Sequence, residues 1–577
     1  MQGDCVRVVG AKVHRATRFF PLIVVISALV AGALTGCKPG APSGTGSTQS
    51  TGAGPGTPHP TGPTTGAAGT PPASAAPPTA TTPGTTPSGE VPAQVPPASL
   101  VPGAAGYPAP AGAVFAAPAG SDDAPGTLEQ PLRTVAAALA KAPPGGTVVL
   151  RGGDYRETVA SVTKPVTIQP YQREQAWLNG ADIVKDWAPL PDGWATATFR
   201  STLCRTCYYE KAVDPARPLA GSPNQVFVNG KALKEVAGDA QLDSGSFYVM
   251  DDGTVVIGTD PAGVTVQISV RWKAIQFDGG ASGSVVRGIG VRGYAPVWIE
   301  SQQLAAVILN APGVRFTGNV LTDVAGTALA VTRPGAVVTG NVVIRNGLRG
   351  MVANRADGLV VTGNRFDLNN TAGFATTTCG AVCVIAGLKI TRTRGLTVKG
   401  NSFSNNDGAG VWCDLGCIDA TVTGNLVSGN TGNGMFYELS TNAVFDGNTI
   451  TRNGRGLKIA GSDRVTVNGN HFTDNGIDLG VYDDPRSPSV EKYSEQNGLT
   501  WDTRQVTVTG NSFVGAGGTD DVLLETNRTA QVTAPDMIGR FVSNTFQPAA
   551  GGRVYWCSSS CMYFPTVTAF LASGALG

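Results

Sequence analysis

From about residue 273 onward, apolar and polar positions alternate in short runs, and no long stripe of helical period appears. Runs such as Val337-Val338-Thr339 and Leu396-Thr397-Val398 read as strands of a few residues. Between them a Gly-Asn step recurs, at Asn319, Asn341, Asn364, Asn401, Asn425, Asn448, Asn470 and Asn511, with Ser543-Asn544 as a late variant. Most steps are 22 to 24 residues apart, and three longer intervals measure 37, 41 and 33. Six of these Asn are followed five residues later by a second one: Asn346, Asn369, Asn406, Asn430, Asn453 and Asn475. A coil of this length cannot bury its own apolar face, so coils must stack, about 4.8 Å apart, and share one long core. Asn suits the turns because it tolerates left-handed backbone, and its amide can bond the same residue one coil on. The long intervals are then coils that carry inserted loops.

Such a solenoid needs caps at both ends. The segment from Leu132 to Leu139, after Pro131 and before Pro143-Pro144-Gly145-Gly146, predicts an apolar helix over the first coil, and Val567 to Ala572 a short C-terminal one. Between Trp187 and about Val270 the repeat disappears. There Val226 to Lys231 and Phe247 to Ile257 read as hairpins turned at Asn-Gly and Asp-Gly. The expected fold class is all-β: a right-handed single-stranded parallel β-helix with an N-terminal capping helix and an inserted small antiparallel β subdomain. The expected divisions are 1–36, 37–120, 121–186 for the N-cap and first coils, 187–272 for the insertion, and 273–577 for the β-helix with its C-terminal cap.

The first two divisions carry no fold. Lys12, Arg15 and Arg18 precede an apolar run from Phe19 to Ala33, the layout of a signal peptide. The run ends in Leu34-Thr35-Gly36-Cys37, which resembles the bacterial lipobox and implies cleavage before Cys37 and lipidation of its thiol. From Pro39 to Gly120 the chain is mainly Pro, Thr, Gly, Ala and Ser, and it reads as a disordered stalk. The expectation is an exported lipoprotein on the outer face of the bacterial cell membrane, anchored through Cys37. A net charge of +1 leaves no broad basic face for nucleic acid, and three His remove most His-based chemistry. Eight further Cys fall in close pairs: Cys204 with Cys207, Cys379 with Cys383, Cys413 with Cys417, and Cys557 with Cys561. In an exported chain they predict local disulfides, and no second pair completes a tetrahedral metal site.

Aligning the coils on Gly-Asn turns the sequence into a surface map. Period-two alternation sends Leu388, Val411, Met435 and Leu457 into the core. The outward columns then read Val352, Lys389, Trp412, Phe436, Lys458 and, beside them, Asn354, Thr391, Asp414, Glu438, Ala460. Two neighbouring outward aromatics predict an exposed face for a sugar ring, walled by the insertions 374–386 and 480–503. Asp414 and Glu438 are 24 residues apart, one coil, in one column. Their expected separation of about 5 Å matches the nucleophile and acid/base of a retaining glycosidase. Trp412, Phe436, Lys389, Lys458 and Asn354 are the candidate substrate contacts.

The opening segment Asp122 to Glu157, the inserted subdomain with Val226 to Lys231, and Gly-x-Trp-x-Asp one coil before Tyr-Glu resemble β-helical β-xylosidases, glycoside hydrolase family 120. That resemblance implies a retaining mechanism, with Asp414 as nucleophile and Glu438 as acid/base. The expected function is a surface-tethered retaining glycoside hydrolase on plant or cell-wall polysaccharide or oligosaccharide, with no cofactor required, although paired carboxylates also suit Ca²⁺. Two other readings stand beside it. One is a polysaccharide lyase with Lys389 or Lys458 as base, and the other a glycan-binding protein without catalysis.

Overall fold

The computed structural model describes residues 99–203, 213–299, 302–303, 305–374, 385–515, 522–527, 532–547, 553–558 and 560–575. The expected signal segment and Cys37, with the lipidation expected there, lie outside these residues. So do Cys204, Cys207, Cys379 and Cys383, with the two disulfides expected of them.

Each coil contributes one short strand to each of three long sheets, of 13, 12 and 12 strands among the described residues. One coil supplies Thr397–Lys399, Ser402–Ser404 and Ala409–Asp414. The next continues each strand in parallel register, pairing Thr397 with Thr421, Ser402 with Leu426 and Val411 with Met435. Inward residues from all three sheets meet in one core running the length of the solenoid. Like residues stack on like: the rings of Phe366 and Phe403 lie 5.3 Å apart and those of Phe472 and Phe513 4.9 Å apart.

The recurring Asn forms a buried amide ladder. Asn425 Nδ2 donates to Asn448 Oδ1 of the next coil at 2.9 Å and to the Val398 carbonyl at 3.0 Å. Its own Oδ1 accepts from the backbone N–H and the Nδ2 of Asn401, at 2.9 and 3.0 Å. The second Asn of each coil repeats the arrangement, with Asn406 Nδ2 donating to Asn430 Oδ1 at 2.9 Å. These amides therefore satisfy polar groups of the turn that the core would otherwise leave without a partner. The expected reason for Asn is corrected here. The left-handed residue is the Gly before it, as at Gly400 (φ 61°) and Gly424 (φ 59°), and Ser543 (φ 59°) takes over that conformation in the last step.

Both ends are closed by helices. Val135–Lys141 packs on the strands Val114–Ala116 and Thr147–Leu150, burying Val135, Ala138 and Leu139. Its first turn is capped twice, Thr134 accepting from Ala137 N at 3.0 Å and Glu157 from Val135 N at 2.8 Å. At the other end Val567–Ala572 buries Val567 and Phe570, the latter against Trp556. The stalk boundary at 120 shifts toward the N-terminus, because Val114–Ala116 pairs in parallel with Thr147–Leu150 as the edge strand of one long sheet. The small subdomain also starts earlier than 187: Ala181–Ile183 pairs antiparallel with Val266–Ser269. Its own core gathers Val226, Phe247, Ile257 and Ile268. Asn229 and Gly230, with φ of 49° and 79°, form the two-residue turn between Val226–Val228 and Lys231–Ala232.

Replacing Asn425 with Ala would orphan the Asn401 backbone N–H and strip Val398 O of its amide partner. At roughly 1–3 kcal/mol per unsatisfied buried group, urea unfolding should show a loss on the order of 3 kcal/mol. A loss within about 0.5 kcal/mol, the range of ordinary surface changes, would show that the ladder does not carry stability.

Candidate active site

One of the long sheets forms a wall whose consecutive strands include Arg349–Asn354, Ala386–Thr391, Ala409–Asp414, Asn433–Glu438, Arg455–Ala460 and Ile477–Tyr482. Register fixes its outer columns. Val352 neighbours Lys389, Lys389 neighbours Trp412, Trp412 neighbours Phe436, and Phe436 neighbours Lys458. In the adjacent column Asn354 neighbours Thr391 and Thr391 neighbours Asp414, while Glu438 neighbours Ala460. Because Trp412 pairs with Phe436, the residues two further on, Asp414 and Glu438, occupy successive coils of the same column. Strand spacing sets their backbones about 4.8 Å apart.

Both carboxylates are largely withdrawn from water and both have cationic partners. Lys389 Nζ lies 2.8 Å from Asp414 Oδ2, with side-chain exposures of 6% and 12%. Asp414 Oδ1 is buried without a hydrogen-bond partner among the described residues. Glu438 Oε2 accepts from Trp412 Nε1 at 2.9 Å, and its Oε1 accepts from Arg486. Burial pushes the Glu438 pKa up, and the Asp414 charge pushes it further, against the opposing pull of Lys389 and Arg486. Arg486 also holds Asp484 at 2.7 Å. It reaches the wall from the segment that follows Ile477–Tyr482. Glu491 in the same segment ties back to Arg392 at 3.0 Å, and Trp501 is buried against Ile418, Leu439 and Leu499.

The expected exposed aromatic face is absent. Trp412 and Phe436 are 9% and 7% exposed and stack on each other at 5.1 Å. The reason is cationic cover: Lys389 Nζ sits 3.2 Å from the Trp412 ring centre and Lys458 Nζ 4.3 Å from that of Phe436. Tyr482 extends this layer in a way that alternation does not predict. It shares a column with Ala460, yet its ring occupies the space where a Cβ at Gly480 would stand. Its hydroxyl donates to Glu525 at 2.9 Å. The 22-residue spacing from Ala460 and the bare glycine two positions earlier were the available signals. Asn354 is two strands from Asp414, and its amide oxygen accepts from Thr391 Oγ1 at 2.9 Å.

The cysteines need one correction. Cys557 and Cys561 are bonded, but Cys413 and Cys417, also expected to bond, carry free, buried thiols. Cys413 points into the core beside Ile390 and Tyr437, and Cys417 Sγ donates to the Ile390 carbonyl at 3.7 Å. The core thus accommodates both as small apolar side chains. The expected bridges from Cys204 to Cys207 and from Cys379 to Cys383 fall outside the described residues. Cleft volume does not locate the carboxylate pair either. A cleft of about 1010 Å³ opens elsewhere, between the inserted subdomain and the coils at Ala325, Gly347 and Ala372.

A family model described as "Right handed beta helix region" matches residues 296–440. The chain folds as a right-handed parallel β-helix. A second model, "Periplasmic copper-binding protein (NosD)", matches residues 375–519. Among the described residues, no group of three or more His, Cys, Asp or Glu converges as a metal site. The "Uncharacterized protein YwoF" of Bacillus subtilis is 37% identical over 75 residues, 12% of this chain and 16% of that protein. "Pectate lyase PEL9" of Emericella nidulans is 35% identical over 77 residues, 12% of this chain and 19% of that one. The matched segments therefore span less than a fifth of either relative's length. Among solved structures, "The complex structure of XylC with xylose" superposes with a TM-score of 0.53 at 16% identity, over 71% of this chain and 86% of that one.

Because folding raises the Glu438 pKa, the native β-helix holds that proton more tightly than the unfolded chain. Wild-type stability should therefore fall as pH climbs from the ordinary value of 4.5 through the raised one. Glu438→Gln removes this titration, so the difference in Tm between variant and wild type should shift in the variant's favour across that window. A pH-independent difference would place the Glu438 pKa at its ordinary value.

Proposed function

We propose that this β-helix is a carbohydrate-active protein tethered through a lipid at Cys37 to the outer face of the cell membrane, and that its wall is the site of a retaining glycoside hydrolase needing no cofactor. The observation that carries the reading is the pair of carboxylates in successive coils, Asp414 and Glu438, set in unequal environments. Asp414 Oδ1 accepts no hydrogen bond from the described residues while Lys389 holds Oδ2, an arrangement that leaves one oxygen to attack an anomeric carbon. Burial and the neighbouring charge favour the protonated form of Glu438, as a general acid requires.

In the first step an Asp414 oxygen forms a bond to the anomeric carbon as the glycosidic C–O bond breaks, and Glu438 gives its proton to the departing oxygen. In the second step Glu438 takes a proton from water, whose oxygen displaces Asp414 and restores the original configuration. Trp412 Nε1 orients Glu438. Arg486 occupies the other oxygen of Glu438 and would give way to the substrate. The xylose of the superposed XylC complex belongs to that protein and supports a sugar as the occupant here.

One observation favours a second reading, a lyase with Lys458 as base. Lys458 has no hydrogen-bond acceptor among the described residues, and its pKa is lowered, first by burial. A lysine in that state can take up a proton α to a carboxylate. Lys389, engaged by Asp414, is the poorer candidate.

Asp414→Asn should lower turnover of aryl glycosides on the order of 10³-fold or more, and nuclear magnetic resonance of the first product should show retained configuration. Unchanged turnover removes Asp414 as nucleophile. An unsaturated product absorbing in the near ultraviolet, released from uronate polymers, would replace the hydrolase with the lyase.

A further inference from the structure

Among the described residues, Lys389, Arg486, Arg392 and Arg455 each find a hydrogen-bond or ion-pair partner on or against this wall. Lys389 pairs with Asp414 at 2.8 Å, Arg486 with Glu438 and with Asp484 at 2.7 Å, and Arg392 with Glu491 at 3.0 Å. Arg455 donates to Asn433 Oδ1 at 3.3 Å and lies over the Tyr482 ring at 5.1 Å. Lys458 has no acceptor among the described residues. Its Nζ sits between two aromatic faces, 4.3 Å from the Phe436 ring centre and 5.6 Å from that of Tyr482.

A half-buried ammonium without an acceptor gives up hydration and regains only part of it from ring faces. A substrate group that restores the loss must be anionic and must reach a position one strand beyond Phe436, beside Glu438 in the neighbouring column. On a wall read as a glycan site, whose aromatic rings are already covered, the fitting group is the carboxylate of a sugar. A phosphate monoester is also anionic, but its dianion would be repelled more strongly than a carboxylate by Glu438 and Asp484, whose charges already act on Lys458. We propose that Lys458 is the subsite for a sugar carboxylate, so that the glycan recognised at this wall is a uronate. The proposal rests on reading the wall as a glycan site, and because it needs Lys458 as an ammonium it excludes Lys458 as the neutral base of the lyase reading.

The test is equilibrium binding by titration calorimetry at fixed ionic strength. The probes are short uronate oligosaccharides and the same oligosaccharides with their carboxyl groups reduced to alcohols. The full-length protein should bind the uronate about tenfold or more tighter than its reduced counterpart, the ratio expected for one charge-assisted hydrogen bond. Lys458→Met should abolish that preference, and Lys458→Arg should restore most of it, with thermal unfolding confirming that both variants fold. A wild-type protein that binds both probes equally, or neither, overturns the proposal, and so does a preference retained in Lys458→Met. Because the readout requires no turnover, an intact preference in a protein that cleaves no aryl glycoside sinks the hydrolase and leaves the subsite standing.

Discussion

The structure depends on a vertical hydrogen bond: the side-chain amide of one Asn donating to the amide oxygen of the Asn one coil away. Asn425 illustrates why it is so restrictive. Its oxygen accepts twice from Asn401 and its nitrogen donates to Asn448 and to Val398, so every polar group of a buried turn is satisfied only when adjacent coils are in register. A slip by one residue would break these bonds and turn each core residue outward at once. A left-handed residue before each ladder Asn, a glycine near φ 60° in the Gly-Asn steps, makes the turn tight enough for the amide to point inward.

The same register builds the wall chemistry. Asp414 and Glu438 stand one above the other because their coils cannot shift, not because either carboxylate seeks the other. Two buried like charges so close would be costly unless paired, and the wall supplies a partner to each, Lys389 from the coil before and Arg486 from the segment that follows Ile477–Tyr482. The cations then cover the aromatic rings between them. Trp412 is at once a stacking partner of Phe436, a surface for Lys389 and a donor to Glu438. A change at this indole would therefore propagate to both carboxylates.

Much of this was legible in the residues. A Gly-Asn step every 22 to 24 positions gives the coil length, and coil length with period-two alternation gives the columns. Lys389, Trp412, Phe436 and Lys458 thus fall in line, as do Thr391 and Asp414. What did not follow was the state of those side chains. Alternation says that Trp412 and Phe436 face away from the core, but long flexible lysines, Lys389 one strand before Trp412 and Lys458 one strand beyond Phe436, can fold over them, and their reach is not a property of period two. Nor does spacing tell a thiol pair from a disulfide: Cys413 and Cys557 each have a second cysteine four positions on, yet one pair is free and the other bonded. Composition placed the stalk's end at 120. Pairing decides where structure starts, and Val114–Ala116 finds a partner strand at Thr147–Leu150 despite its Pro- and Gly-rich surroundings.

The linear chain by itself determined the solenoid, its coil length and which side chains share a vertical line, because these follow from a repeat and a two-residue period, both local properties. Tertiary structure decided which of those lines is buried, which charge meets which, and that Lys458 is left unmatched among the described residues. Those outcomes depend on distances between segments far apart in sequence, such as Arg486 reaching Glu438 and Lys389 closing over Trp412. No pattern along one strand encodes the reach of a side chain from another.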